Sequence, residues 1–318
     1  MPERLAQRLA APLVDRLAIV GIGLIGSSIA RAVRQRGLAR HIAIADHDPA
    51  AADTARRLGL GDAVGTDAAA AARAADVVIL CVPVGACGAV AAAIASALKP
   101  GAIVSDVGSV KASVVTQVAP HLPLGVHFVP AHPVAGTENS GPEAGFAGLF
   151  LNRWCILTPP EGANPEAVAA LRALWEGMGA NVEVMTAEHH DLVLAITSHL
   201  PHLIAYNIVG TAADLETVTR SEVIKFSAGG FRDFTRIAAS DPTMWRDVFL
   251  HNKDAVLEMI GRFNEDLAAL ARAIRWSDGD ALFELFTRTR AIRRGIIDLG
   301  QETAEPDFGR RHAEAEPE

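Results

Sequence analysis

The sequence predicts an α/β fold: a doubly wound, mostly parallel sheet followed by an all-helical domain. Three observations carry this. Short apolar runs alternate with helical stretches from Leu17 to about Met185. A glycine-rich turn joins the first run to the first helix. From Thr186 to about Leu299 the pattern is almost wholly helical.

The apolar runs are Leu17–Val20, His41–Ala45, Val77–Val82, Ala102–Ser105, Val126–Val129, Trp154–Leu157 and Val182–Met185. They are short and rich in β-branched residues, as strands covered on both faces are. Helical stretches lie near Ser27–Arg36, Ala50–Leu58, Gly85–Leu98 and Pro165–Met178. Val77 to Leu98 runs 22 residues without a charge, long enough to ask about a membrane span. Pro83, Gly85 and Gly88 interrupt it and its second half is mostly alanine, so it reads as a strand, a turn and a soluble helix. Thr186 reads as a helix cap, Asp241-Pro242 as a cap with a first-turn proline, and Ser277-Asp278-Gly279-Asp280 as a break. The expected boundaries are residues 1–186 for the sheet domain, 187–300 for the helical domain and 301–318 for a flexible acidic tail.

A chain of 318 residues accommodates two domains of roughly 150 residues. Half its residues are hydrophobic and 21% charged, which excludes a mainly disordered chain. Twenty-nine Lys and Arg against 37 Asp and Glu give a net charge of −8, a surface that repels nucleic acid and anionic membranes. Any anionic substrate therefore has to be caught by a few local arginines. Three cysteines without a C-x-x-C pair imply neither a disulfide framework nor a zinc ribbon. Met1 to Arg16 has no continuous apolar stretch, so no secretory signal is expected there. The reading is a soluble, cytoplasmic protein.

Leu17-Ala-Ile-Val-Gly21-Ile-Gly23-Leu24-Ile25-Gly26 is a strand, then G-x-G-x-x-G, then a helix. Gly21 permits the tight turn, Gly23 lets the backbone approach a pyrophosphate, and Gly26 allows close helix–strand packing. The helix start offers free N–H groups to the phosphates. The next strand ends in Asp46, twenty residues past Gly26, where an acid binds the adenosine ribose hydroxyls. A carboxylate there repels a 2′-phosphate, and the nearest arginine in this stretch is Arg56, so the cofactor expected is NAD rather than NADP. Val82 and Pro83 close the third predicted strand and complete the cofactor-binding set with Ser109.

Ser105-Asp-Val-Gly-Ser109-Val-Lys111 follows another strand and should face the nicotinamide half of the cofactor. Pro130-Ala-His132-Pro133 follows the next. Held between two prolines in a loop, His132 suits a general base, whose imidazole titrates near neutral pH. Arg232 and Arg236, at i and i+4 after Gly229-Gly230, share a face if that segment is helical, and guanidinium groups meet carboxylates bidentately. Pro201 removes a backbone donor and should loosen the helix carrying Ser198-His199-Leu-Pro-His202. His189, His190, His199 and His202 cluster without an H-E-x-x-H pattern, so no metal is expected.

Together with Asp106-Val-Gly-Ser-Val-Lys111, His132-Pro-Val-Ala-Gly-Thr-Glu138, Ser198-His-Leu-Pro-His202, Gly230-Phe-Arg-Asp-Phe-Thr-Arg-Ile-Ala238 and Ser240-Asp-Pro-Thr-Met-Trp-Arg246, the glycine motif resembles the prephenate/arogenate (cyclohexadienyl) dehydrogenase family. The resemblance runs from Leu17 to about Leu299. It implies oxidative decarboxylation of prephenate and/or arogenate with NAD, giving 4-hydroxyphenylpyruvate and/or tyrosine. It implies that His132 accepts the C4 hydroxyl proton and that Ser109 bonds the reacting hydroxyl. Arg236 matches the position that binds a substrate carboxylate, and His202 and Ser198 match positions at the substrate side chain. Thr137, Glu138 and Asp191 match positions that line or gate the pocket. Arg232 and Trp245 are further substrate-binding candidates.

Two other readings stay open at this stage: a β-hydroxyacid dehydrogenase or imine reductase, and a non-catalytic NAD-binding regulator. The first looks for a lysine in the first helix after the nucleotide domain, and Leu192 to Gly210 contains none. The second predicts loss of the base or the anion clamp. A homodimer built on the helical domain is expected, from the resemblance and from the apolar-rich stretch Val248–Ile274. Tyrosine is a candidate feedback inhibitor at the active site. Neither prephenate against arogenate nor strictness for NAD follows from the sequence.

Overall fold

Six strands form one parallel sheet: β1 (Val14–Val20), β2 (Ala39–Ala45), β3 (Ala63–Gly65), β4 (Val77–Leu80), β5 (Ile103–Asp106) and β6 (His127–Phe128). Their order is β3-β2-β1-β4-β5-β6, the arrangement in which ligands sit beyond the carboxyl ends where the order reverses, between β1 and β4. This is a computed structural model, and it describes residues 11–137, 139–219 and 228–298. The expected tail at 301–318 lies outside the described residues.

Alternation along β1 builds both faces of the sheet. Leu17 and Ile19 pack with Ile29, Val33, Leu171 and Trp175, while Ala18 and Val20 pack with Val78, Leu80, Val104 and Val114. Crossover helices α1 (Leu24–Arg36), α2 (Pro49–Arg57), α3 (Ala68–Ala72), α4 (Cys87–Ile94) and α5 (Ala112–Val118) cover those faces. Helix α1 stops at Gly37, whose φ of 66° is open to glycine, with Leu38 N–H donating to Val33 O at 3.0 Å. Helices α2 and α3 start on Asp48 and Asp67, which accept from backbone N–H groups of their first turns.

The sequence pattern predicts a single mostly parallel sheet, with His132 in a loop. Instead β7 (Ala131–Pro133), β8 (Trp154–Leu157) and β9 (Asn181–Val184) form a second sheet of three strands. His132 pairs with Ile156 across the antiparallel β7–β8 ladder. A three-residue strand flanked by Pro130 and ending in Pro133 carries no periodic signal, and β3 is equally short. Helix α6 (Pro165–Gly177) separates β8 from β9 and is capped by Asn164.

After Thr186, which caps α7 (Ala187–Leu194) through His189 N–H, the described residues are mostly helical. Just before Pro201 a π turn, Ala195–His199, interrupts the run, and α8 (Leu200–Thr219) continues it. Loosening by a proline that lacks an N–H accounts for that turn. Then follow α9 (Gly229–Thr235), a 3-10 turn at Arg236–Ala239, α10 (Pro242–His251), α11 (Lys253–Arg275) and α12 (Gly279–Asp298). The chain forms two compact units that divide after Val256, inside α11. Among the described residues one helical run, Ala187–Asp214, is long and apolar enough to cross a membrane. Its buried face carries His190, Asp191 and His199 along with Leu194, Ala195 and Ala205, the pattern of a helix packed into a polar site.

Gly23 and Gly26 separate stability from binding. A Cβ at Gly26 would lie 2.1 Å from Gly21 O, whereas nothing lies within 4 Å of one at Gly23. Gly26→Ala is expected to cost about 1–3 kcal/mol, seen in calorimetry as a thermal midpoint several degrees lower. Gly23→Ala should leave the midpoint unchanged and weaken nucleotide binding in a fluorescence titration.

Candidate active site

The glycine turn makes a cradle at the carboxyl end of β1. Gly21 has φ of 95°, and a Cβ there would meet Cys81 O at 2.3 Å. Leu24 and Ile25 open α1 and pack partly against the core, which aims the helix start at the turn. Asp46 stands at the end of β2, accepting Ile22 N–H at 2.8 Å and Asp48 N–H at 2.9 Å. Its two oxygens keep acceptor capacity for a ribose diol. Arg56 donates to Asp53 and to Val64 O, so the nearest arginine is engaged elsewhere. Val82 is half-buried and Pro83 exposed just past β4. Open space over Gly23, the free helix start and the Asp46 carboxylate together fit a dinucleotide.

The carboxyl end of β5 is tied to β7 by a buried ion pair. Lys111 Nζ donates to Asp106 Oδ2 at 2.5 Å and to Ala131 O at 2.7 Å, with both side chains fully buried. Asp106 also accepts Gly108 N–H at 2.8 Å. Next to Ala131, His132 Nδ1 lies 2.8 Å from His190 Nε2, and His190 Nδ1 lies 2.8 Å from Asp191 Oδ1. Asp191 is fixed in turn by Lys111 N–H at 2.7 Å and Ala112 N–H at 2.9 Å. Asn252 donates to Asp191 O at 2.8 Å and faces His199 Nδ1 at 3.0 Å. His132 Nε2 makes no hydrogen bond with any described residue.

Burial pushes the His132 imidazole well below its ordinary pKa, and charge on His190, Lys111 and His199 pushes the same way. His190 is lowered mainly by burial, against the upward pull of Asp191. His199 falls to about 4, again through burial. All three rings are therefore neutral at neutral pH.

His202 stacks on Trp245 with ring centroids 3.6 Å apart, and its Nδ1 lies 2.9 Å from Ser198 O. Burial lowers its pKa and the nearby Arg236 charge lowers it further, so Arg236, His202, Ser198 and Trp245 form one group. Arg236 is half-buried at the end of α9, while Arg232 is exposed and paired with Asp233 at 3.4 Å. Thr137 is half-buried, its hydroxyl accepting Asn139 N–H at 3.2 Å. Ser109 is half-buried beside His199 and makes no hydrogen bond to His132 in this structure. His190 holds that ring instead. Glu138 lies outside the described residues.

A family model described as the prephenate dehydrogenase nucleotide-binding domain matches residues 29–184, and one described as the prephenate dehydrogenase dimerization domain matches residues 186–288. The cyclohexadienyl dehydrogenase of Zymomonas mobilis subsp. mobilis is 47% identical over 280 residues, 88% of this chain and 95% of its own. The structure of prephenate dehydrogenase from A. aeolicus in complex with hydroxyphenyl propionate and NAD+ matches with a TM-score of 0.82 at 35% identity, covering 89% of this chain and 98% of that one. Synechocystis arogenate dehydrogenase gives 0.74 at 27% identity, covering 88% and 99%. The chain belongs to the prephenate dehydrogenase family.

In this dehydrogenase the sequence reading missed His190, because a histidine after Thr186-Ala-Glu-His189 looks like one of an exposed pair. Helical spacing was the available signal: His190 and Leu194, four apart, face the core while His189 faces solvent.

Burial of three histidines makes the fold more sensitive to acid. Below the ordinary histidine range the unfolded chain takes up protons that the folded chain refuses, so stability falls with falling pH. For His199 the window runs from 6.5 to about 4, on the order of 3 kcal/mol. Urea midpoints measured at about pH 7.5 and about pH 5 should be clearly lower at the acid value.

Proposed function

We propose that this dehydrogenase oxidatively decarboxylates prephenate and/or arogenate with NAD+, giving 4-hydroxyphenylpyruvate and/or tyrosine. The observation that carries the reading is His132: a buried imidazole, held neutral, with Nδ1 tied to His190 and Nε2 making no hydrogen bond with a described residue. When bound, NAD+ supplies the oxidising group. The Gly21–Gly26 turn and the start of α1 would hold its phosphates, Asp46 its adenosine ribose, and Val82, Pro83 and Ser109 its nicotinamide side.

His132 Nε2 takes the proton of the substrate hydroxyl, which raises electron density at the carbon to be oxidised. Arg236 pairs with a substrate carboxylate, and His202 on its Trp245 platform meets the substrate side chain, with Ser198 and Thr137 beside it. Arg232, exposed and paired with Asp233, is a further candidate for a substrate carboxylate, and Glu138 matches a family position that lines or gates the pocket. Loss of the ring carboxylate as CO2 makes the product aromatic, which drives the reaction forward. The hydroxyacid-dehydrogenase and regulator readings are not favoured by the family membership, and the base and the arginine are both present.

The family description supports a homodimer, and so does the surface. In the unit after Val256, Leu257, Ile274, Trp276, Phe283 and Phe286 are exposed, Trp276 at 75%. Amphipathic helices α11 and α12 leave such a face for a second copy to cover. We place the enzyme in the cytoplasm, where the free thiols Cys81, Cys87 and Cys155 stay reduced. Tyrosine, which shares a phenol and a charged end group with product, is expected to inhibit competitively.

NADH formation with each substrate tests the reading, with NADP+ as the alternative acceptor. His132→Asn should lower kcat by about 10²–10⁴ while NADH affinity is kept. Arg236→Ala should raise KM about 10- to 100-fold, from the loss of a charge-assisted hydrogen bond. Turnover of neither substrate by the wild-type protein would overturn the proposal. Sedimentation should show a dimer at micromolar concentration.

A further inference from the structure

Resting on that assignment of His132, we infer that His190 and Asp191 are positioning residues that fix which nitrogen of His132 carries the proton. At the inner end of the hydrogen-bond chain stand backbone donors whose roles cannot change. Lys111 N–H and Ala112 N–H both donate into the Asp191 carboxylate, at 2.7 and 2.9 Å, so its oxygens present only acceptors. His190 Nδ1, 2.8 Å from Asp191 Oδ1, is therefore the protonated nitrogen of that ring. In a neutral imidazole the other nitrogen then accepts. His190 Nε2 accepts from His132 Nδ1 at 2.8 Å, and the lone pair of His132 is left on Nε2.

Two edge-to-face rings, with centroids 5.0 Å apart and planes at 71°, hold this alignment. The members come from three elements: His132 on β7, His190 and Asp191 on α7, and the two backbone donors at the start of α5. Other ionisable groups around His132 are Lys111 and Asp106 from the β5–α5 turn, His199 from the π turn, and Cys155 from β8. None of them bonds the imidazole nitrogens. When Nε2 takes the substrate proton, the new positive charge is stabilised through His190 by the Asp191 carboxylate, without either residue touching substrate. Asp191 thus does more than line the pocket.

The test compares His190→Phe, which keeps the ring volume and loses both hydrogen bonds, with His190→Gln, whose carbonyl can accept from His132 and whose amide can donate to Asp191. Turnover of wild type and of His132→Asn is measured alongside, so that failure of the base assignment is read separately. His190→Phe should lower kcat about a hundredfold while KM and NADH affinity stay within about threefold. His190→Gln should recover at least about tenfold of that loss and keep the wild-type acid limb of kcat against pH. If His190→Phe does not fold, Asp191→Asn carries the test. Its amide either donates to His190 Nδ1 and reverses both tautomers, or faces Ala112 N–H and keeps them without the carboxylate charge. With either placement kcat should fall, and raising the pH should not restore it. Wild-type kcat in His190→Phe, or in a folded Asp191→Asn, would overturn the inference. So would a His190→Gln variant as slow as Phe at an unchanged thermal midpoint.

Discussion

The site depends on one buried charge pair. Lys111 and Asp106 have no solvent exposure, and such a pair persists only where further hydrogen bonds satisfy both partners. Here the ammonium also bonds Ala131 O, and the carboxylate also accepts Gly108 N–H. The pair thereby clamps the carboxyl end of β5 to the strand that carries His132. Through its backbone N–H the same lysine docks Asp191 of α7. One residue thus joins the sheet, the second sheet and the first helix after Thr186.

That clamp explains how the two halves of the site meet. The glycine cradle and Asp46 stand at the carboxyl ends of β1 and β2, and the Lys111 turn stands at the end of β5, on the same edge of the sheet. Burial then does electrostatic work. His132, His190 and His199 stay neutral because solvent is excluded, and a neutral base is what proton abstraction from an alcohol requires. The cost is acid sensitivity, since the same rings favour an unfolded chain that can protonate them.

Much of this was legible in the residues. The strand, glycine turn and helix at Leu17–Arg36, the acid at Asp46, the Thr186 cap and the loosening before Pro201 all follow from local chemistry, and each lies where the pattern puts it. The second sheet did not, because β7 spans only Ala131–Pro133 and its pairing partner lies more than twenty residues away. For the same reason the local pattern around His132 points to a loop, although His132 pairs with Ile156. The His190–Asp191 support was hidden too: it joins positions 58 residues apart, a distance no local signal spans. Ser109, assigned from resemblance to the reacting hydroxyl, is half-buried beside His199.

The proposed chemistry requires His132 to be a neutral imidazole with its proton on Nδ1. Nitrogen-15 NMR of the histidine-labelled protein, with His132 assigned by comparison with His132→Asn, reads this directly. Nδ1 should appear protonated and Nε2 unprotonated, with no titration near the ordinary histidine pKa. A proton on Nε2, or a free titration in that range, would contradict it.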